Sequence, residues 1–178
     1  PTFCITGYER NALCDCIMAD LNWKYKIIPK LFNKSELKIA HEYCIQRHMT
    51  NTNSFDEVQN NCGDTRFYKD SLMQVFLKSK KKILEKNINL QLHETYTFWR
   101  CYTYGADLKK HKDRPSCEIS VTVFIGSDGK HDWPIYMDGK KIDLKPGDGV
   151  IYRGCDIDHW REPYEGDYHM QVFLHYVD

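Results

Sequence analysis

Glu118-Ile119-Ser120-Val121-Thr122-Val123-Phe124-Ile125 is the stretch that fixes the fold class of this chain. It is dominated by β-branched residues and half alternates, as a strand does when it is buried mainly on one face. The surrounding segments have the same period of two. Tyr96 to Tyr104 is aromatic and suits a strand. Pro134–Met137 and Lys141–Leu144 flank Asp138-Gly139, a strong hairpin signal. Pro146-Gly147-Asp148-Gly149 is a turn leading into Val150-Ile151-Tyr152, and Tyr168 to Val177 reads as the last strand.

Upstream the period is helical. Asn33 can cap a helix with Glu36 at the capping-box position, followed by Leu37, Ala40, Tyr43 and Cys44 at helical spacing. Asp70 can cap a second helix carrying Leu72, Phe76, Ile83 and Leu84 and ending near Asn87. Residues 49–65 are rich in Asn, Asp, Thr and Ser and read as a loop. The chain thus divides into an irregular lead-in over 1–33, containing the short apolar run Tyr25 to Pro29, then helices over 34–90 and strands over 91–178. Helices first and then a run of short strands imply an α+β chain with a sandwich or barrel core, and 178 residues suit one domain.

Lys plus Arg balances Asp plus Glu, so net charge gives no reason to expect nucleic acid or a membrane surface as partner. The basic run Lys78 to Lys82 reads as a solvated helix face. No apolar run reaches membrane-spanning length, and the first residues lack the pattern of a signal peptide, so the expected location is the cytoplasm. Eight cysteines are present without paired zinc spacing. Cys101, Cys117 and Cys155 sit in apolar, strand-like segments and are expected to be free buried thiols. Cys14 and Cys16 are close enough in sequence to scavenge a metal or cross-link.

His111-Lys112-Asp113, with His159 far downstream, carries the chemistry. Alternate residues of a strand share a face, so one strand can present an imidazole and a carboxylate to one ion. A distant strand must bring the third ligand. Two histidines and one carboxylate on an octahedral face leave three positions open, the donor set of non-haem ferrous sites.

Tyr102-Thr103-Tyr104-Gly105 stands ahead of His111-Lys112-Asp113. Lys145-Pro146-Gly147-Asp148 and Val150-Ile151-Tyr152 stand ahead of His159, which is followed by Pro163 and Gly166. In this order the segments resemble the 2-oxoglutarate- and Fe(II)-dependent oxygenases, in the prolyl-4-hydroxylase-like branch, over about residues 92–178. Gly166 comes one residue early. The blocks around Asp113 and His159 resemble a microbial or viral subgroup. The resemblance implies a double-stranded β-helix, a jelly-roll or cupin-like barrel, with N-terminal support helices. It implies Fe(II) bound by His111, Asp113 and His159, with 2-oxoglutarate as co-substrate, O2, and ascorbate as accessory reductant. The activity implied is hydroxylation of a second substrate, a peptidyl or free amino acid or another small molecule.

Two positions depart from the pattern. Where the family usually places Lys or Arg to pair with the far carboxylate of 2-oxoglutarate, this chain has His169. Asp132-Trp133-Pro134-Ile135 replaces the Gly-Gly-Glu-Thr segment of the prolyl hydroxylases. Arg161, two residues past His159, faces the same interior on an extended strand and offers a permanent fork of donors, so it is preferred over His169. Tyr102 can add its hydroxyl or simply pack in the core. Arg100, Arg114, Trp133 and Trp160 are candidates for a substrate mouth, although Arg114 can equally pair with Glu118 and the tryptophans can be packing. His131-Asp132 reads as a loop pair and His175 as internal packing. Two other readings stay open at this point: a cupin-type metal dioxygenase that uses no 2-oxo acid, and a non-catalytic jelly-roll binding module.

Overall fold

The computed structural model describes residues 23–50 and 64–178. Cys14, Cys16 and most of the 49–65 loop lie outside the described residues. Two α-helices, α1 (Lys34–Met49) and α2 (Ser71–Ile88), pack on one side of a six-stranded antiparallel sheet, and a four-stranded antiparallel sheet faces its other side. The strands are β1 (Tyr25–Ile28), β2 (Thr65–Tyr68), β3 (His93–Thr103), β4 (Leu108–His111), β5 (Ile119–Ser127), β6 (Ile135–Met137), β7 (Lys140–Ile142), β8 (Gly149–Arg153), β9 (His159–Arg161) and β10 (Tyr168–Val177). The large sheet runs β1-β8-β5-β10-β3-β2 and the small one β4-β9-β6-β7. Together they form an α+β jelly roll.

The helix signals hold. Asn33 accepts from Ser35 N and Glu36 N, and Glu36 answers the Asn33 amide, which completes the capping box. Asp70 caps α2 through Leu72 N. The Asp138-Gly139 hairpin forms with both residues at positive φ, 50° and 80°, the geometry a two-residue turn between twisted strands requires.

Several expectations are corrected. Tyr25–Ile28 is not irregular: it is an edge strand paired with β8, because Tyr25 meets Tyr152 and Ile28 meets Gly149 in register. Thr65–Tyr68 interrupts the helical zone as a second edge strand, held by β3 and by Phe67 stacked 5.2 Å from Trp99. The basic run on α2 is not uniformly solvated: Lys80 turns inward, lies over Phe32 and pairs with Glu36 at 2.5 Å, which ties α2 to the start of α1.

The central strands β5, β8 and β10 are buried on both faces, which is why β5 alternates only in part. On β10, Met170, Val172, Leu174 and Tyr176 join the helix-side core with Met73, Leu77, Leu84 and Trp99. His169, Gln171, Phe173 and His175 alternate with them. Cys101 and Cys117 are buried free thiols, as expected, and so is Cys44 on α1. Cys155 is a correction: it sits in the turn after β8, partly exposed. No described helix is long and apolar enough to cross a membrane.

Candidate metal centre

His111 is the last residue of β4 and His159 the first of β9, and the two are direct partners in the β4–β9 ladder. Asp113 lies just past the end of β4, not on the strand itself. Its amide donates to Gly154 O at 2.8 Å, which turns the chain back toward the ring pair. Asp113 Oδ1 lies 3.6 Å from His111 Nε2 and 3.5 Å from His159 Nε2. One ligand atom from each of the three residues falls within 4.8 Å of the others.

The tautomers follow from the other ring nitrogens. His111 Nδ1 is 2.7 Å from Lys109 O and His159 Nδ1 is 3.2 Å from Ile157 O. A carbonyl accepts only, so each Nδ1 carries the proton and each Nε2 lone pair faces the shared point, as it does in metal-ligating histidines. Burial alone would raise the pKa of Asp113, but the His111 and His159 rings and the Ser120 hydroxyl hold it well below the usual carboxylate range. Its carboxylate in turn raises the pKa of His111. Among the described residues, this donor set fits a divalent ion with three protein ligands.

Several residues that the sequence did not mark support the ligands. Ser120 Oγ lies 2.8 Å from Asp113 Oδ2 and 2.9 Å from His175 Nδ1. Tyr152 packs its ring 4.9 Å from His159. Gly154 admits no side chain, since a Cβ there would collide with Asp113 Oδ2 and Cys117 O. Arg100, which the sequence did mark as a candidate for a substrate mouth, is held in a buried ion pair with Asp64, Arg100 Nε to Asp64 Oδ2 at 2.7 Å, and lies 4.2 Å over the Tyr102 ring. Only the spacing of β10, which puts His175 on the same face as His169, could have signalled any of these.

His111, Asp113, His159, Tyr102, Tyr152 and His175 line a chamber of about 240 Å³ whose other walls include Tyr96, Phe98, Arg114 and Phe173. Arg161 and His169 line a larger cavity of about 810 Å³ toward the other end of the barrel, between α1 and the β6–β7 hairpin. The Tyr102 ring meets Trp133 edge-on at 4.8 Å, and Trp133 in turn covers Arg161. Arg161 is 3% exposed, and among the described residues no carboxylate pairs with it. It donates to Trp133 O and lies 3.0 Å from Gln171, whose amide oxygen faces it because arginine can only donate. Desolvation lowers the Arg161 pKa to about 10. His169 is stacked 4.4 Å from Phe124, and its Nδ1 has no partner. Burial, reinforced by Arg161, lowers its pKa well below the usual histidine value.

The remaining candidates separate. Arg114 donates to the Tyr96 hydroxyl, not to Glu118, at the chamber mouth. Trp160 stacks on Tyr136 at 5.2 Å outside the chamber, and Trp133 lines the larger cavity, packed against both Tyr102 and Arg161. His131 and Asp132 are exposed loop residues, as expected.

No family model and no curated protein sequence matches the chain. Solved structures do match in shape. A prolyl-4-hydroxylase from Pseudomonas putida is 15% identical with a TM-score of 0.70, over 87% of this chain and 92% of that one. A viral collagen prolyl hydroxylase from Paramecium Bursaria Chlorella virus-1, in its 2-oxoglutarate complex, is 11% identical with a TM-score of 0.65, over 87% and 96%. EctD from S. alaskensis, solved with 2-oxoglutarate and 5-hydroxyectoine, is 10% identical with a TM-score of 0.67, over 86% and 71%. At these identities the likeness assigns the fold: the barrel is the double-stranded β-helix of those enzymes.

Proposed function

We propose that this chain, residues 1–178 as one domain, is a non-haem iron oxygenase that couples oxidative decarboxylation of 2-oxoglutarate to hydroxylation of a second substrate. The observation that carries this reading is the convergence of one ligand atom each from His111, His159 and Asp113 within 4.8 Å in a fold shared with such enzymes. Ferrous iron held there would supply the oxidising chemistry, with O2 and 2-oxoglutarate consumed and succinate and carbon dioxide released. The protein's part is to fix three ligands on one face and keep the opposite face free.

Arg161 is the residue we assign to the far carboxylate of 2-oxoglutarate. It stands two residues from His159 on β9, so its side chain runs along the same inward face. A buried cation without an acid partner is costly, and a carboxylate is the ligand that offsets that cost. A neutral His169 supplies no such charge. The fully buried Tyr102, in the chamber wall and packed on Trp133, lies between the metal ligands and Arg161. The second substrate meets a chamber walled by Tyr96, Phe98 and Phe173 with Arg114 at the rim, which suits a peptidyl or free amino acid. Dry aromatic walls also keep water from the reacting atoms.

The test is succinate release from 2-oxoglutarate with Fe(II) and ascorbate. The parent is expected to release succinate, N-oxalylglycine to block it, and His159→Ala, checked for a parent-like melting curve, to release none. Iron uptake without succinate would favour the cupin-type reading. A parent that binds no iron would leave a binding module.

A further inference from the structure

Ser120 has one proton, and three polar groups lie within 3.0 Å of its oxygen. Asp113 Oδ2 lies 2.8 Å from its oxygen, Cys117 O 3.0 Å and His175 Nδ1 2.9 Å. A carboxylate and a carbonyl can only accept, so the hydroxyl proton goes to one of these two, and the charged carboxylate makes the stronger bond. The contact with His175 is then a hydrogen bond only if His175 donates. His175 is therefore the tautomer with its proton on Nδ1. The ring is held there by Tyr96, with centroids 4.6 Å apart, and is almost fully buried.

The result is a directed chain from β10 through β5 to the metal ligand: His175 gives to Ser120, and Ser120 gives to Asp113. It occupies Oδ2 and leaves Oδ1 as the oxygen facing both histidine Nε2 atoms. Gly154 closes the space behind Oδ2, and the Gly154 carbonyl holds the Asp113 amide. We infer that Ser120 and His175 are positioning residues that keep Asp113 a one-oxygen ligand, so that the carboxylate cannot swing to grip the ion with both oxygens and close one of the open positions. This inference rests on the metal reading above. Neither side chain belongs to the donor group of His111, Asp113 and His159.

The test uses Co(II) as the probe, titrated into the full chain and followed by its visible absorption, which reports coordination number. The variants are Ser120→Ala, His175→Leu and His175→Asn. Asparagine keeps an N–H near the place of Nδ1, whereas leucine does not. Loss of a partner that orients a ligand typically weakens metal binding by about 10–100-fold. Ser120→Ala and His175→Leu are expected to show that loss with an altered cobalt band, and His175→Asn to retain near-parent affinity and the parent band. The two His175 variants remove the same ring, so a packing role would move both alike. That result, or parent-like binding and spectra in Ser120→Ala and His175→Leu, overturns the inference while the metal reading stands. A parent that takes up no cobalt removes the metal reading and the inference together.

Discussion

Replacing Arg161 by Met separates a buried cation that waits for a carboxylate from one that merely packs. Desolvation brings the pKa of Arg161 down from the ordinary arginine value to about 10. At about 1.4 kcal/mol per tenfold change in proton affinity, burial disfavours the charged side chain by roughly 3 kcal/mol. The folded-state pKa is depressed, so this penalty is fully present at neutral pH and fades only as pH rises past about 10. Against it stand the charge-assisted bonds to Trp133 O and Gln171, together worth about 3 kcal/mol or more. The two effects nearly offset, so without ligand Arg161→Met is expected to melt within about 4 °C of the parent. With Mn(II) and N-oxalylglycine at about one hundred times the parent Kd, the parent should gain about 2.7 kcal/mol, or roughly 5–11 °C. Losing a charge-assisted contact worth about 1.5–3 kcal/mol weakens the ligand roughly 10–150-fold. At the same concentration the gain then shrinks to roughly 0.3–1.4 kcal/mol. Thermal melts with and without ligand measure both effects. An equal ligand shift in parent and variant refutes the role, and loss of the shift in His169→Leu in place of Arg161→Met moves it to His169.

Gly154→Ala places a methyl group against Asp113 Oδ2 and the Cys117 carbonyl. It should cost about 1–3 kcal/mol of stability and at least tenfold in Co(II) affinity; affinity equal to the parent in a calorimetric titration would show that the Asp113 carboxylate does not need that space. Metal affinity should also depend on pH. The Asp113 carboxylate raises the pKa of His111, and a protonated imidazole cannot ligate, so affinity should fall as pH drops through the raised His111 pKa, by at most about tenfold per unit. Asp113 stays ionised throughout, so the fall belongs to histidine, and a flat affinity over that range would contradict the assignment.

Local rules wrote much of this molecule into its sequence. The Asn33–Glu36 capping box, the Asp70 cap and the Asp138-Gly139 turn depend on neighbours a few residues away, and each formed as read. His111 and Asp113 were legible by their two-residue spacing, although Asp113 reaches the site from the turn after β4, held by Gly154 O, and not from a strand face. β1 and β2 were not, because four-residue edge strands have too few residues to display a period and exist only through β8 and β3. Ser120 and His175 escaped for another reason. Each looks like an ordinary residue of a buried strand, and only the pairing of His175 with Ser120 across the β5–β10 ladder puts both beside Asp113. The inward turn of Lys80 likewise required Glu36, supplied from α1.

β10 serves two masters by parity. Its even-numbered residues, Met170, Val172, Leu174 and Tyr176, anchor the sheet to its helical backing, and its odd-numbered ones, His169, Gln171, Phe173 and His175, furnish the barrel's interior. Substitutions on the first set are felt as loss of foundation, and those on the second as a change of chemistry. A lineage can therefore retune what the vault accepts, one alternate position at a time, while the platform beneath it stays intact.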